Sequence, residues 1–198
     1  MANHVSNDIT VVGNEKVQER LNQYIDALEK LEKYSDTGGF ARTFYKNPNV
    51  SEGGGTMNTW AYNNIGAKWA YFEHTIDNGR IMVTSAWEPI KEFTMHLYNL
   101  LVELDPEVAV ENRFNDEGYD PVGGMLVYKN HMYYDEDSDF DYPDEDEMDE
   151  DEDYEVATMN FYEEIAEFQD NCISTGYKVI NEGGGETIDY KETEEETV

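Results

Sequence analysis

Apolar positions along this chain recur with two periods, one near 3.6 and one of two, and each stretch predicts a different element. Residues 8–12 (DITVV) are a short β-branched run and predict a strand. Gly13-Asn14 then turns the chain. Val17, Leu21, Tyr24, Leu28 and Leu31 follow at spacings of four, three, four and three, one face of a helix over 15–34 with Asn14 as its N-cap. Residues 35–56 hold Gly38-Gly39, Asn47-Pro48 and Gly53-Gly54-Gly55 and read as a long loop with little regular structure. Residues 57–87 read as sheet-rich, because 60–64 and 68–76 are aromatic and alternating. Asp77-Asn78-Gly79 supplies a tight hairpin turn. Beyond it Ile81, Val83 and Ser85 share one face of a strand, with Met82, Thr84 and Ala86 on the other.

Pro89 opens a second helix, where its missing N–H costs nothing. Ile90, Phe93, Leu97, Leu100, Leu101 and Leu104 form its stripe, and Asp105-Pro106 ends it. Residues 107–115 and 122–134 predict two more strands, with a turn at 115–118 and a bulge or close contact at Gly123-Gly124. A third helix spans 156–173, and two stripes compete for its buried face. One is Met159, Tyr162, Ile165, Ala166 and Gln169; the other is Phe161, Ile165, Phe168 and Cys172. The last ten or so residues, ending KETEEETV, are expected to be loosely held. Strand, helix, three strands, helix and two strands imply an α+β sandwich, with the two long helices on one face of a mostly antiparallel sheet and an added C-terminal helix.

Charge changes the picture. The chain carries 45 Asp+Glu against 13 Lys+Arg, a formal net charge of −32 in 198 residues. Residues 135–155 hold 15 acidic residues in 21 positions and no Lys or Arg. Such a molecule repels nucleic acid, anionic membranes and free nucleotides, and it attracts basic surfaces. The commonest strongly basic surfaces are those built to hold nucleic-acid phosphates. Hydrophobic content is 39% but aromatics reach 13%, so an aromatic-rich core with solvated acidic segments is expected rather than wholesale disorder. The N-terminus lacks the basic and apolar regions of a signal peptide, and no stretch approaches ~18 apolar residues. A single cysteine, Cys172, permits no internal disulfide and fits a reducing cytoplasm.

The acidic run has three readings. It is a solvated, self-repelling loop; or a surface that imitates a nucleic-acid backbone; or a calcium site. For the second, the charges are Asp144, Glu145, Asp146, Glu147, Asp149, Glu150, Asp151, Glu152 and Asp153, with Phe140, Tyr142 and Tyr154 as apolar anchors that a solubility tail would not need. Duplex DNA presents one charge per ~1.7 Å of axis. The run would present one per ~2.1 Å as a helix and one per ~4.6 Å fully extended. Aspartates and like charges disfavour the isolated helix. For the third, Asp135, Asp137, Asp139 and Asp141 alternate and Asp146 falls twelfth. Phe140 stands where an EF-hand needs Gly, and the twelfth residue is not Glu.

Elsewhere chemistry is sparse. His4, His74, His96 and His131 sit at no metal-ligand spacing, and no phosphate-binding glycine loop or nucleophile elbow occurs. No cofactor and no metal is expected. Trp60, Trp69 and Trp87 read as core rather than base-stacking platforms, given the charge.

One segment has a recognisable pattern. Asn64, Gly66, Lys68 and Trp69, followed by Ala86, Trp87 and Pro89, resemble the YubB-type ferredoxin-like domain family of phage and plasmid proteins. Residues 110–128 are similar to that family's later glycine-containing strand pair. Ile65 stands where the family usually has Trp, and Ala67 where it has Thr. The resemblance covers roughly residues 5–130 and leaves out the acidic run and the third helix. It implies a ferredoxin-like fold and a mobile-element origin, and it carries over no enzyme activity.

The expected organisation is a ferredoxin-like α+β domain over 1–134, an acidic segment over 135–155, an added helix over 156–175 and an acidic flexible tail over 176–198. The expected function is a non-enzymatic phage or mobile-element protein of the host cytoplasm. It would inhibit a host protein with a basic nucleic-acid-binding groove, such as a defence nuclease, restriction or polymerase machinery, and would bind no nucleic acid or membrane itself. The alternative is a small-ligand-binding or enzymatic accessory factor, with Lys68 and Trp69 lining a pocket.

Overall fold

The computed structural model describes residues 3–30, 37–46, 55–77, 79–143 and 154–188. Its elements run β1 (His4–Val12), α1 (Glu15–Glu29), α2 (Thr37–Phe44), α3 (Gly55–Asn64), β2 (Ala70–Asp77), β3 (Arg80–Ala86), α4 (Lys91–Leu101), β4 (Ala109–Asp116), β5 (Val122–Tyr128), β6 (His131–Asp137), α5 (Tyr154–Asn181) and β7 (Glu186–Thr187). The strands form one sheet in the order β2-β3-β1-β4-β5-β6-β7, and all its pairings are antiparallel. The fold class is therefore α+β.

Alternation along β1 separates the two faces of the sheet. Val5, Asn7, Ile9 and Val11 are buried on one side. There Val17, Leu21, Ile25 and Leu28 of α1 and Phe93, Leu97 and Leu101 of α4 close the main core. Asn14 starts α1 as read from the sequence, its Oδ1 accepting from the Lys16 and Val17 amides at 3.0 and 3.2 Å. At the centre lies a polar knot. Asn7 Nδ2 donates to Val5 O, Val83 O and Ser85 Oγ, and its Oδ1 accepts from the Ile90 amide and Asn112 Nδ2. One side chain thus fixes β1 against β3, β4 and the start of α4.

Four expectations are corrected. First, α1 and α4 do share one face, but α5 packs on the other, against Ala109, Leu126, Val122 and Gly124, so the sheet has helices on both faces. Second, the expected loop over 35–56 contains α2, and the expected strand at 60–64 is the end of α3. Phe40 and Phe44 of α2 stack around Phe93, with ring centroids 4.6 and 4.9 Å from it, and this burial outweighs the poor helix propensity of Gly38-Gly39. Ala61 of α3 and Ile65, the residue after its end, are both buried and lie four apart, so the period is helical although the aromatics alternate. Third, the strand expected at 122–134 is a hairpin. Lys129 and Asn130 both have positive φ (50° and 59°), as a two-residue type I′ turn requires. Fourth, the last helix runs well beyond 156–173 on its C-terminal side.

Candidate protein-binding surface

The two stripes of α5 meet different fates. Phe161, Ile165, Gln169, Cys172, Ile173, Gly176 and Ile180 face the sheet. The approach is close because two glycines clear the way. A Cβ on Gly124 would lie 2.7 Å from Cys172 Cβ, and one on Gly176 would lie 3.1 Å from Leu126 Cβ. Polar contacts fix the helix as well. Gln169 Nε2 donates to Phe114 O at 2.9 Å. Arg113 bridges Glu111 and Asp170 at 3.0 and 2.9 Å, and Tyr177 Oη donates to Glu111 at 2.9 Å. Of the stripe that begins at Met159, Ile165 and Gln169 are thus buried, and its other members stay outside together with Val156. Val156 is 47% exposed, Met159 54% and Tyr162 48%, at i, i+3, i+6 spacing, with exposed Ala166 one turn further.

Tyr142 joins them, 43% exposed. Its ring stacks on Tyr119 at 5.7 Å and meets Phe161 and Tyr162 edge-on at 5.2 and 6.4 Å. Tyr119 and Tyr162 share a hydrogen bond between hydroxyls at 3.0 Å. That bond pushes Tyr162 up to about 12, and the bond from Tyr154 lowers Tyr142. Of the seven large apolar side chains that are exposed among the described residues, four are Tyr142, Val156, Met159 and Tyr162. Scattered exposed apolar residues need no explanation; a contiguous group marks an interaction site.

The three aromatic anchors read from the sequence therefore divide. Tyr142 reaches the surface patch. Phe140 is half-buried against Phe168 at 5.4 Å, in the small core under α5. Tyr154 donates through its hydroxyl to Tyr142 at 3.4 Å. This bond joins the two described residues that flank 144–153 within the acidic run. Asp144, Glu145, Asp146, Glu147, Asp149, Glu150, Asp151, Glu152 and Asp153 themselves lie outside the described residues.

The described stretch of chain that carries the patch is acidic. No Lys or Arg occurs between Lys129 and Lys178. Asp135, Asp139, Asp141, Glu155, Glu163, Glu164, Glu167 and Asp170 are all exposed. Asp170 is matched by Arg113. Sequence reasoning missed Val156, Met159 and Tyr162 as surface residues. Their signal was present: a helix with two apolar stripes but one sheet to bury them against leaves one stripe over.

The remaining expectations resolve as follows. Of the EF-hand alternation, Asp135 and Asp137 belong to β6 rather than to a loop, and Asp146 lies outside the described residues. None of the three tryptophans is fully buried. Trp60 packs half-buried against the main core, Trp69 lies between His4 and Tyr71, and Trp87 is 44% exposed with the Lys68 ammonium 4.8 Å above its ring. The Asn64–Gly66 corner is a helix end. Asn64 Nδ2 donates to Trp60 O, and Gly66 has a φ of +96° with its Cβ position against the Glu92 carboxylate. His96 stacks flat on Tyr45 at 4.0 Å with Nε2 2.9 Å from Phe44 O, and burial lowers its pKa. Cys172 is buried, and burial pushes its thiol up to about 11, so it stays protonated at neutral pH. Among the described residues no helix is long and apolar enough to cross a membrane. No protein-family model, curated protein or solved structure matches the chain.

Proposed function

We propose that this is a non-enzymatic binding protein that occupies the basic, nucleic-acid-binding groove of another protein and so keeps nucleic acid out. The observation that carries the reading is the apolar patch of Tyr142, Val156, Met159 and Tyr162, set inside a stretch of 19 acidic residues (135–170) with no basic one. An acidic field steers encounter with a basic surface, and apolar contacts then hold the complex. Either feature alone has a plainer account. A charge run by itself is solvation, and an apolar patch by itself is a generic contact. Together they match what a phosphate-binding groove offers, namely cations lining a cleft and aromatic or aliphatic surface between them.

The contact between Tyr142 and Tyr154 bears on how the charges between them would act. Tyr142 and Tyr154, which flank the nine carboxylates of 144–153 in the sequence, touch each other beside the patch. The charge of 144–153 would add to the acidic field that meets the partner. The order β2-β3-β1-β4, with α1 between β1 and β2 and α4 between β3 and β4, supports a ferredoxin-like reading of the first four strands. The resemblance to phage and plasmid proteins would then make the partner a host defence nuclease, restriction factor or polymerase component, met in the host cytoplasm.

The test is competition. Immobilised protein is mixed with host lysate at low salt, and the captured proteins are challenged with duplex DNA, then RNA. Displacement of one stoichiometric nucleic-acid-binding partner is expected, with capture lost in the Met159→Asp, Tyr162→Asp double variant. A captured partner that nucleic acid does not displace would refute the reading.

A further inference from the structure

The sheet has two edges, and they are finished differently. At β2 the ladder to β3 shifts register twice, and the first amide, that of Ala70, donates to Thr37 Oγ1 of α2. Bulges and a covering helix are ordinary ways of closing an edge. At the other end β7 covers β6 only at His131 and Met132. The Ile188 amide donates to Asn130 O, so β7 runs past the hairpin turn and away from the rest of β6.

The alternation of an antiparallel ladder then says which groups are left. Backbone groups of Asn130 and Met132 face β7, so those of Tyr134 and Glu136 face the same way, beyond its end. Among the described residues no strand pairs with them on that side. The side chains along this open stretch are Asp135 and Asp137 on the α5 face and Glu136 on the other, with Asp135 and Glu136 exposed. A second copy of this chain pairing there would set like charges opposite one another, which is destabilising. A strand with Lys or Arg at the facing positions would be stabilised by the same geometry.

We propose that the outer edge of β6, from Tyr134 to Asp137, receives an extended basic segment of the partner as an eighth strand of the sheet. Main-chain bonds to Tyr134 and Glu136 would hold it, and cross-strand ion pairs with Asp135, Glu136 and Asp137 would select its charge. This deepens the proposed function by naming the kind of segment bound, and it uses a surface separate from the apolar patch.

The test uses the full chain and a short capped peptide that alternates Lys with Val and Thr, titrated by calorimetry and followed by amide hydrogen exchange. Binding that slows exchange at Tyr134 and Glu136 is expected. Two changes separate backbone pairing from charge. Methylating the peptide's backbone nitrogens keeps its charge and removes its donors, and it is expected to weaken binding about tenfold. Glu136→Pro removes an outward amide that β5 does not use, so the ladder survives. It is expected to bind about tenfold more weakly than Glu136→Gln, which loses only the charge. Equal affinity of the methylated and unmethylated peptides would overturn the proposal. So would binding that Met159→Asp abolishes and Glu136→Pro leaves intact, an outcome that keeps the proposed function standing. Concentration-dependent dimerisation lost in Glu136→Pro would assign the edge to self-pairing instead.

Discussion

Truncating the two stripes of α5 should have opposite consequences. Ile165 is 6% exposed and packs with Val122 and Phe161 in the small core between helix and sheet. Ile165→Ala removes three carbons from that core, and substitutions of this kind cost about 2–5 kcal/mol. Met159 lies six residues earlier and is 54% exposed. Its truncation should change stability by no more than ~0.5 kcal/mol. Urea denaturation followed by tryptophan fluorescence reads both. With a slope of roughly 2–3 kcal/mol per molar, a 3 kcal/mol loss moves the midpoint by about 1 M, and Met159→Ala should leave it in place. In a binding assay the order reverses. Met159→Ala and Tyr162→Ala should each weaken the partner complex by about 1 kcal/mol or more, because a desolvated apolar contact is lost there. A midpoint for Met159→Ala as low as that for Ile165→Ala would refute the reasoning. It would mean that the helix presents its other stripe to the sheet and that no apolar patch is free.

Asn7→Ala should cost about 1–3 kcal/mol in the same denaturation assay, since it leaves the buried Ile90 amide without its acceptor while Asn112 Nδ2 keeps Thr94 Oγ1; a loss under ~1 kcal/mol would show that the knot relaxes around the gap. Burial lowers the pKa of His96, so the unfolded chain takes up a proton below the ordinary value near 6.5 while the folded chain stays neutral. Stability from this group should therefore be fully present above that value and fall as pH drops toward the folded-state pKa, and a difference between wild type and His96→Gln that is flat with pH would contradict it. Replacing the carboxylates of 144–153 by Asn and Gln should slow partner association most, and added salt should mimic the change, because exposed charges are screened within ~8 Å at physiological ionic strength. Equal association rates in stopped-flow for both proteins at low salt would make the run a bystander.

Local rules carried much of this molecule. The β-branched run of β1, the Asn14 cap, the antiparallel pairing of β2 with β3 and the stripe of α4 each satisfy a requirement within a few residues, and each stands where the pattern placed it. The α+β class follows from their order. The acidity and its concentration in one stretch are likewise properties of the sequence alone.

Tertiary packing decided the rest. Trp60–Asn64 carries too few residues to separate a period of two from one of 3.6, and the pocket for Ala61 and Ile65 made the choice. Gly38 and Gly39 begin a helix only because Phe40 and Phe44 find Phe93 across the core. The hairpin at Lys129-Asn130 lacks the glycine that usually announces such a turn; Lys129 Nζ is held instead by Asn181 Oδ1 of α5 at 3.2 Å. The free stripe of α5 was the least accessible of all. Both stripes are apolar and both fit a helix, so periodicity could not rank them. What ranks them is the second face of the sheet. Gly124 and Gly176 leave room for the backbone to approach along one line, so the side that carries Ile165 and Cys172 is buried and the side that carries Met159 and Tyr162 is left for something else.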